Sequence, residues 1–364
     1  MANDMIGVGI IGAGFARTTQ IPAFRACEGA RVVAIASGHR ENAERVAREF
    51  EIPFVGEWRE VVAREDVDLV CVTTPPSTHA EMTLAALDAG KAVLCEKPTA
   101  MNFEEAARMR RRAEESGLVA HIDHELRFLP ARLLMRETIA SGRLGRVWHA
   151  KVNFRADSRA TDARGWDWWS DAEQGGGVLG ALGSHAVDSL HTLLSTRTRE
   201  VSCTLATHVR ERAGDDGAPR PVTSDDEANL LLNFYDSDAC EGATGAVSLS
   251  VVEAGVGEHT VEVFGSRGAM RTDATGALFE AKVGGKVWER VDTEEAPLAE
   301  GMQDNEWSRG FTVFARALVE EVRKGGRRGG VRGAATFEDG YHVQRVLDAA
   351  RASHESGCRA TVGD

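Results

Sequence analysis

The sequence lacks most of what a membrane, a nucleic acid or an oxidising compartment would call for. No run approaches the ~18 apolar residues of a bilayer-spanning helix. Positive charge is in the minority: 43 Lys and Arg against 56 Asp and Glu give a formal net charge of −13. That balance argues against nucleic acid or an anionic membrane surface as a main partner. Cysteine is sparse and unpatterned. Cys27, Cys71, Cys95, Cys203, Cys240 and Cys358 form no C-x-x-C and no zinc-like spacing with histidine, so no metal is expected. Cys71 and Cys95 lie inside apolar strand-like runs and read as buried small hydrophobes. A reduced, cytoplasmic setting is the expectation. The N-terminal MANDMIGV enters a strand pattern at once, and no signal peptide is expected. Tyrosine is scarce, with Tyr235 and Tyr341 only.

What is present is ordinary for a globular chain, with 43% hydrophobic and 27% charged residues over 364 positions. At ~150 residues per domain that length predicts two domains. The stretch Met5–Phe24 reads as a buried strand (Ile6–Ile11), a turn (Gly12-Ala13-Gly14) and the start of a helix. Such a turn lets a backbone approach a dinucleotide pyrophosphate and aims helix N–H groups at it. Strand patterns follow at Arg31–Ser37, Asp68–Thr74, Lys91–Cys95 and Leu118–Asp123. Helical patterns occupy Glu41–Phe50, Glu57–Arg64, Ser77–Ala89 and Asn102–Ser116. Ser77 and Asn102 are the expected N-caps, with Glu105 completing a capping box and Gly90 and Gly117 closing the helices. Alternating strands and helices predict a parallel, doubly wound sheet.

After Leu126 the pattern changes. Pro130–Ser141 is helical and stops at Gly142. Strands are expected at Val147–Phe154, Val201–His208, Ala228–Tyr235, Ala246–Val252, Thr260–Phe264 and Ala269–Thr272. Few helices separate the later ones, which predicts a mostly antiparallel sheet. Glu211–Asp226 reads as a loop, Phe311–Lys324 as a helix, Gly325–Gly333 as a basic glycine-rich connector, and Thr336–Ser353 as the last helix.

Three constellations carry chemistry. Ligands sit outside the carboxyl ends of parallel strands. There Gly12 to Gly14, Thr74-Pro75-Pro76 and Glu96-Lys97-Pro98 would share a cleft. Lys97 there can donate a proton or hydrogen bond to a substrate oxygen. The second strand ends in Ser37-Gly38-His39-Arg40, where an NAD site usually carries Asp or Glu. A hydroxyl and a guanidinium suit a 2′-phosphate, so NADP(H) is favoured and NAD(H) admitted. Finally, Gly175–Asp188 reads GGGVLGALGSHAVD and places His185 and Asp188 on one helix face. A neutral histidine is suited to moving the hydroxyl proton of an alcohol. A core histidine is the competing reading. Trp166, Trp168 and Trp169 precede it; aromatic faces suit sugar rings, and equally a core or an interface.

Together these stretches resemble the Gfo/Idh/MocA oxidoreductase family. The carriers are GIIGAGFA, TPPSTHAEM from Thr74, LCEKP, LRFLP at Leu126–Pro130, GGGVLGALGSHAVD and TFEDGYHVQRVLDA. The resemblance implies a Rossmann domain over 1–125 and a C-terminal α/β domain over 126–364 with an open sheet, the last helix packing back on the first domain. It implies a homodimer or homotetramer. It also implies hydride transfer between NAD(P) and a hydroxyl or keto carbon of a sugar, polyol or related molecule. Lys97 and His185 match the family's catalytic lysine and histidine. Gly12, Gly14, Phe15, Ala16, Ser37, Arg40, Thr74, Pro75, His79, Glu96 and Lys97 are the expected cofactor residues. Lys97, Arg127, Trp166, Trp168, His185 and Asp188 are expected at the substrate.

Two positions depart from the family pattern. Arg17 stands where a small residue is usual, and either points outward or reaches the phosphates. Ala181 stands where many members carry Asp four residues before the histidine, leaving Glu125, Asp123 or the substrate to orient His185. Two other readings stay open. A glycosidase-type cycle of oxidation, elimination and reduction needs a further acid/base, often tyrosine, and neither tyrosine lies in the stretches that carry Lys97 and His185. A non-catalytic dinucleotide-binding regulator is favoured by Ala181 and opposed by Lys97 and His185.

Overall fold

The computed structural model describes residues 5–161, 164–255, 257–325 and 330–363. The chain forms two compact units, one of Met1–Leu129 with Ala296–Tyr341, the other of Pro130–Glu295 with His342–Asp364.

In the first unit six strands form one parallel sheet: β1 (Ile6–Ile11), β2 (Ala30–Ala36), β3 (Phe54–Val55), β4 (Leu69–Val72), β5 (Ala92–Cys95) and β6 (Ala120–Ile122). Their order is β3-β2-β1-β4-β5-β6, with every neighbour parallel. This is the doubly wound Rossmann order, which reverses direction between β1 and β4. Side chains on a strand alternate between faces. Accordingly Val8 and Ile10 of β1 join one core with Phe24, Leu69 and Leu94, while Ile11 joins another with Val70, Val93 and Met109. Helices α1 (Ile21–Arg25), α2 (Arg40–Phe50), α3 (Trp58–Ala63), α4 (His79–Asp88) and α5 (Phe103–Ser116) cover the faces. Asn102 caps α5 by accepting from the Glu105 N–H at 2.9 Å, and Gly117 closes it with φ 62°. Ser77 does not cap α4. Pro76–Thr78 forms a 3-10 turn instead, and the helix begins at His79. The later helix Glu306–Arg323 belongs to this unit because Phe311, Phe314 and Leu318 are fully buried in the core around Phe24. The Phe24 and Phe311 rings meet edge to face at 5.7 Å.

In the second unit, α6 (Pro130–Ala140), β7 (Val147–Arg155), α7 (Ser184–Leu194) and β8 (Thr198–Ala206) come first. Then follow β9 (Glu211–Ala213), β10 (Pro219–Pro221), β11 (Glu227–Phe234), β12 (Cys240–Ser250), β13 (Glu258–Gly265) and β14 (Gly268–Thr272). The short strands β15 (Leu278–Lys282), β16 (Glu289–Val291) and β17 (Ala360–Thr361) complete a nine-stranded sheet ordered β16-β15-β14-β13-β7-β12-β11-β8-β17. All its neighbours are antiparallel except β12 and β7. The segment expected as a loop, Glu211–Asp226, instead contains the β9–β10 ribbon. Strand β11 alternates buried Ala228, Leu230 and Leu232 with less buried Asn229, Leu231 and Asn233, so one face of this sheet is open. The basic connector expected over 325–333 falls partly on 326–329, outside the described residues. All six cysteines are free thiols, five of them buried. Among the described residues no helix is long and apolar enough to cross a membrane.

Candidate active site

The glycine turn is built for close approach. Gly12 has φ +112°, and an added Cβ would lie 2.1 Å from the Thr73 carbonyl oxygen. Both facts require glycine. At Gly14 an added Cβ would meet nothing within 4 Å. Phe15 is exposed and Ala16 buried. Ala16–Gln20 then runs as a π-helical turn before α1. Arg17 answers its question by pointing outward: its Nε lies 2.6 Å from Glu49 Oε2 on α2.

Beside this turn, the ends of β4 and β5 are locked together. His79 is wholly buried, with Nε2 2.8 Å from the Thr74 carbonyl oxygen and Nδ1 2.9 Å from that of Pro98. Burial pulls its pKa below the ordinary value, against the pull of those carbonyls. His79 was expected to bind cofactor. Its ring nitrogens are occupied by backbone, so it braces the two loops from behind. The Lys97–Pro98 peptide is cis.

Glu96 points into the protein. Its Oε1 accepts from Gln20 Nε2 at 3.0 Å, and the same nitrogen donates to Asp123 Oδ2 at 3.3 Å. Thr73 Oγ1 donates to Gln20 Oε1 at 2.7 Å, and the Lys97 main-chain N–H donates to Glu96 Oε2 at 3.3 Å. Burial pushes both carboxyls upward in pKa; the charge of Lys97 draws Glu96 back, and Glu125 pushes Asp123 further up. Sequence reasoning missed Gln20 and Thr73. The available signals were a lone amide directly before the apolar run Ile21–Phe24 and a second threonine before Thr74.

Other expected residues lie elsewhere in this unit. Ser37 follows β2. Arg40 opens α2 with its side chain 64% exposed, its Nε 3.0 Å from Glu44 Oε1 one turn on. Arg127, expected at the substrate, donates to Asp339 Oδ2 at 3.4 Å with its side chain only 9% exposed. It acts as a strut between the end of β6 and the segment at Asp339.

In the second unit, Trp166 Nε1 donates to the Pro221 carbonyl at 3.0 Å, and Arg220 sits 5.6 Å over its ring. Trp168 and Trp169 form a 3-10 turn with ring centres 6.1 Å apart. Gly176 packs against the carbonyls of both, and Gly177, at φ +107°, faces the Asp225 carboxylate. Asp225 Oδ2 accepts the Leu179 N–H at 2.7 Å, and its carbonyl accepts that of Val178 at 2.9 Å. Burial raises the Asp225 pKa, opposed by the Leu179 N–H and by Arg351. Leu179–Gly183 is a second π-helical turn, and α7 begins directly after it. His185 and Asp188, on its first turn, are buried at 6% and 2% exposure, as is Ala181 at 4%. Asp225 is the residue here that the sequence did not reveal, being 46 positions from the Leu179 N–H that it accepts. Among the described residues no group of three His, Cys, Asp or Glu is arranged for a metal ion.

Comparison with known proteins places this geometry. A family model for the oxidoreductase family with an NAD-binding Rossmann fold matches residues 6–124, and one for the GFO/IDH/MocA C-terminal domain matches 133–271. The chain belongs to the Gfo/Idh/MocA family. Within it, the chain is 32% identical over 372 residues to glucose-fructose oxidoreductase domain-containing protein 2 of Mus musculus, covering 98% of this chain and 93% of that one. It is 37% identical over 232 residues to 1,5-anhydro-D-fructose reductase of Ensifer adhaerens, covering 63% and 68%. Among solved structures, a levoglucosan dehydrogenase in complex with NADH and L-sorbose aligns at TM-score 0.86 and 25% identity, over 99% of both chains. The chain is thus an NAD-binding oxidoreductase of the Gfo/Idh/MocA family. The resemblance read from EKP and G-x-H-x-x-D, the doubly wound sheet and the oxidoreductase class are borne out.

Proposed function

We propose that this enzyme moves hydride between nicotinamide C4 and a hydroxyl or keto carbon of a sugar, polyol or related small molecule. The observation that carries the reading is the convergence of Gly12–Gly14, Thr74–Pro75 and Glu96–Lys97 at one sheet edge, beside the reversal between β1 and β4. The names of relatives agree: one is an anhydrofructose reductase, and another is a levoglucosan dehydrogenase solved with NADH and a sugar. The residues fit a dinucleotide. Gly14 has no protein neighbour that forbids a side chain, so its bareness suits a ligand lying close to the backbone. Gly12, Gly14, Phe15, Ala16, Thr74 and Pro75 would hold it.

When bound, the nicotinamide gives or takes the hydride. In oxidation the carbinol C–H bond breaks with its electron pair leaving as hydride. The O–H proton passes to His185, and a carbonyl remains; reduction is the reverse. Lys97 donates a hydrogen bond to the reacting oxygen and steadies its developing negative charge. Trp166, Trp168 and Asp188 are assigned to the sugar. NADP(H) is favoured over NAD(H) because Ser37 to Arg40 carry a cation and no carboxylate. The open face of the nine-stranded sheet, where Leu231 is 65% exposed, is assigned to a second copy of the chain in a homodimer or homotetramer. Six free thiols suit a cytoplasmic setting.

The test pairs dinucleotide titrations with a sugar and polyol screen. Replacing His185 or Lys97 by Ala is expected to lower turnover by roughly 10²–10⁴-fold with dinucleotide affinity largely kept. Unchanged turnover in His185→Ala would remove its acid–base role. Tighter binding of NADH than NADPH would remove the cofactor preference.

A further inference from the structure

One buried amide joins four segments at the carboxyl edge of the parallel sheet. Gln20 is wholly buried and ends the turn that starts at the dinucleotide glycines. Its oxygen accepts from Thr73 at the end of β4, and its nitrogen donates to Glu96 after β5 and to Asp123 after β6. In this orientation the amide nitrogen serves both carboxyls and the amide oxygen serves the Thr73 hydroxyl.

The two carboxyls are 8% and 0% exposed, and an oxygen of each lies on the same amide nitrogen of Gln20, at 3.0 and 3.3 Å. Both acids turn to one neutral amide donor, so ionising both would set two like charges side by side in the protein, and a proton on one of them removes that repulsion. Among the described residues, the titratable groups that bear on the pair include Lys97, Glu125 and the buried thiols of Cys71 and Cys95. Of these Lys97 alone is cationic. A second negative charge would lie in a dry pocket facing another carboxyl, and burying such a charge is costly. Burial pushes both acids upward, and Lys97 draws Glu96 back down.

We propose that Gln20, Glu96 and Asp123 form a positioning unit for Lys97 that holds one proton and one negative charge, Asp123 being the neutral acid and Glu96 the carboxylate. Glu96 fixes the Lys97 main chain through its N–H and sets a counter-charge beside it. Gln20 ties that arrangement to the glycine turn, so the dinucleotide-binding segment and Lys97 keep one register. The catalytic consequence rests on the role given to Lys97 above; the proton count does not.

The test therefore has two readouts. Infrared spectra of the protein without dinucleotide, at about pH 7, should show the carbonyl band of a protonated carboxylic acid that Asp123→Asn removes. A wild-type protein without that band, or a band that Asp123→Asn leaves in place, overturns the proposal without reference to activity. In steady-state kinetics, Asp123→Asn should lower kcat less than Glu96→Gln does, because it keeps a neutral side chain at Asp123 and leaves the charge of Glu96 in place. Glu96→Gln should lower kcat by roughly 10²-fold and shift the basic limb of its pH profile by about one unit, with dinucleotide Kd little changed. Equal losses in the two variants, or an unmoved profile in Glu96→Gln, would overturn the charge assignment. Should Lys97→Ala leave kcat unchanged, the proposed function fails, while the infrared band still decides the proton.

Discussion

Both units enter their candidate helix through a π-helical turn, and they brace it in opposite ways. In the first, Ala16–Gln20 is held by an amide that gives hydrogen bonds to two buried carboxyls. In the second, Leu179–Gly183 is held by a buried carboxyl, Asp225, that takes one from the main chain. A π turn departs from the i to i−4 pattern, and the displaced backbone must be steadied from outside it. Near Lys97 the brace carries charge matched to a cation. Near His185 the brace is a carboxyl that main-chain N–H groups and Arg351 draw back toward ionisation against its burial. The comparison teaches that the two braces are not interchangeable: one sets electrostatics, the other sets backbone position.

Four changes would break or sharpen that contrast. The largest effect is expected from Gln20→Glu, which removes the donor and adds a third buried carboxyl. Denaturant unfolding should show a loss of about 3–5 kcal/mol, with Gln20→Met milder. Asp225→Ala strands the buried Leu179 N–H and should cost about 1–3 kcal/mol by the same assay. Because that brace is backbone only, Asp225→Ala should lower kcat and leave dinucleotide Kd unchanged.

The third effect is on pH dependence. Glu96 and Asp123 titrate higher in the folded protein than in the unfolded chain, so the native state binds the extra proton. Stability is then highest at low pH for this pair. It declines as pH rises from about 4 through the raised folded values, by up to about 1.4 kcal/mol per pH unit for one proton. Asp123→Asn should flatten that decline in Tm measured against pH; an unchanged slope would place the proton elsewhere. The smallest effect is expected from Arg17→Ala. Its ion pair with Glu49 is exposed on both sides, so Tm and dinucleotide affinity should both stay at wild-type values.

How far the sequence foretold this molecule follows the range of the interactions. The turn at Gly12, the Asn102 cap and the stop at Gly117 are set by neighbours a few residues away, and each was legible. Ser77 was misread because the two prolines before it impose a 3-10 turn. The β9–β10 ribbon, β15, β16 and β17 are short strands of mixed polarity whose pairing partners, not their own residues, define them. The same limit hid the braces. Gln20 and Asp123 are 103 residues apart, and Leu179 and Asp225 are 46 apart. Lys97 and His185 stood out only because EKP and G-x-H-x-x-D are compact motifs. Arg127 is expected at the substrate only through the family resemblance of LRFLP, and its partner Asp339 lies 212 residues on.

The central claim is that this chain carries out net hydride transfer on a sugar-like alcohol or ketone. The most direct measurement is nicotinamide absorbance in the wild-type protein with a panel of sugars, polyols and their keto forms. A sustained change in absorbance with at least one of them, matched by equal formation of oxidised or reduced product, is the predicted result. Tight dinucleotide binding with no absorbance change across the panel, or product formed with none, would contradict it.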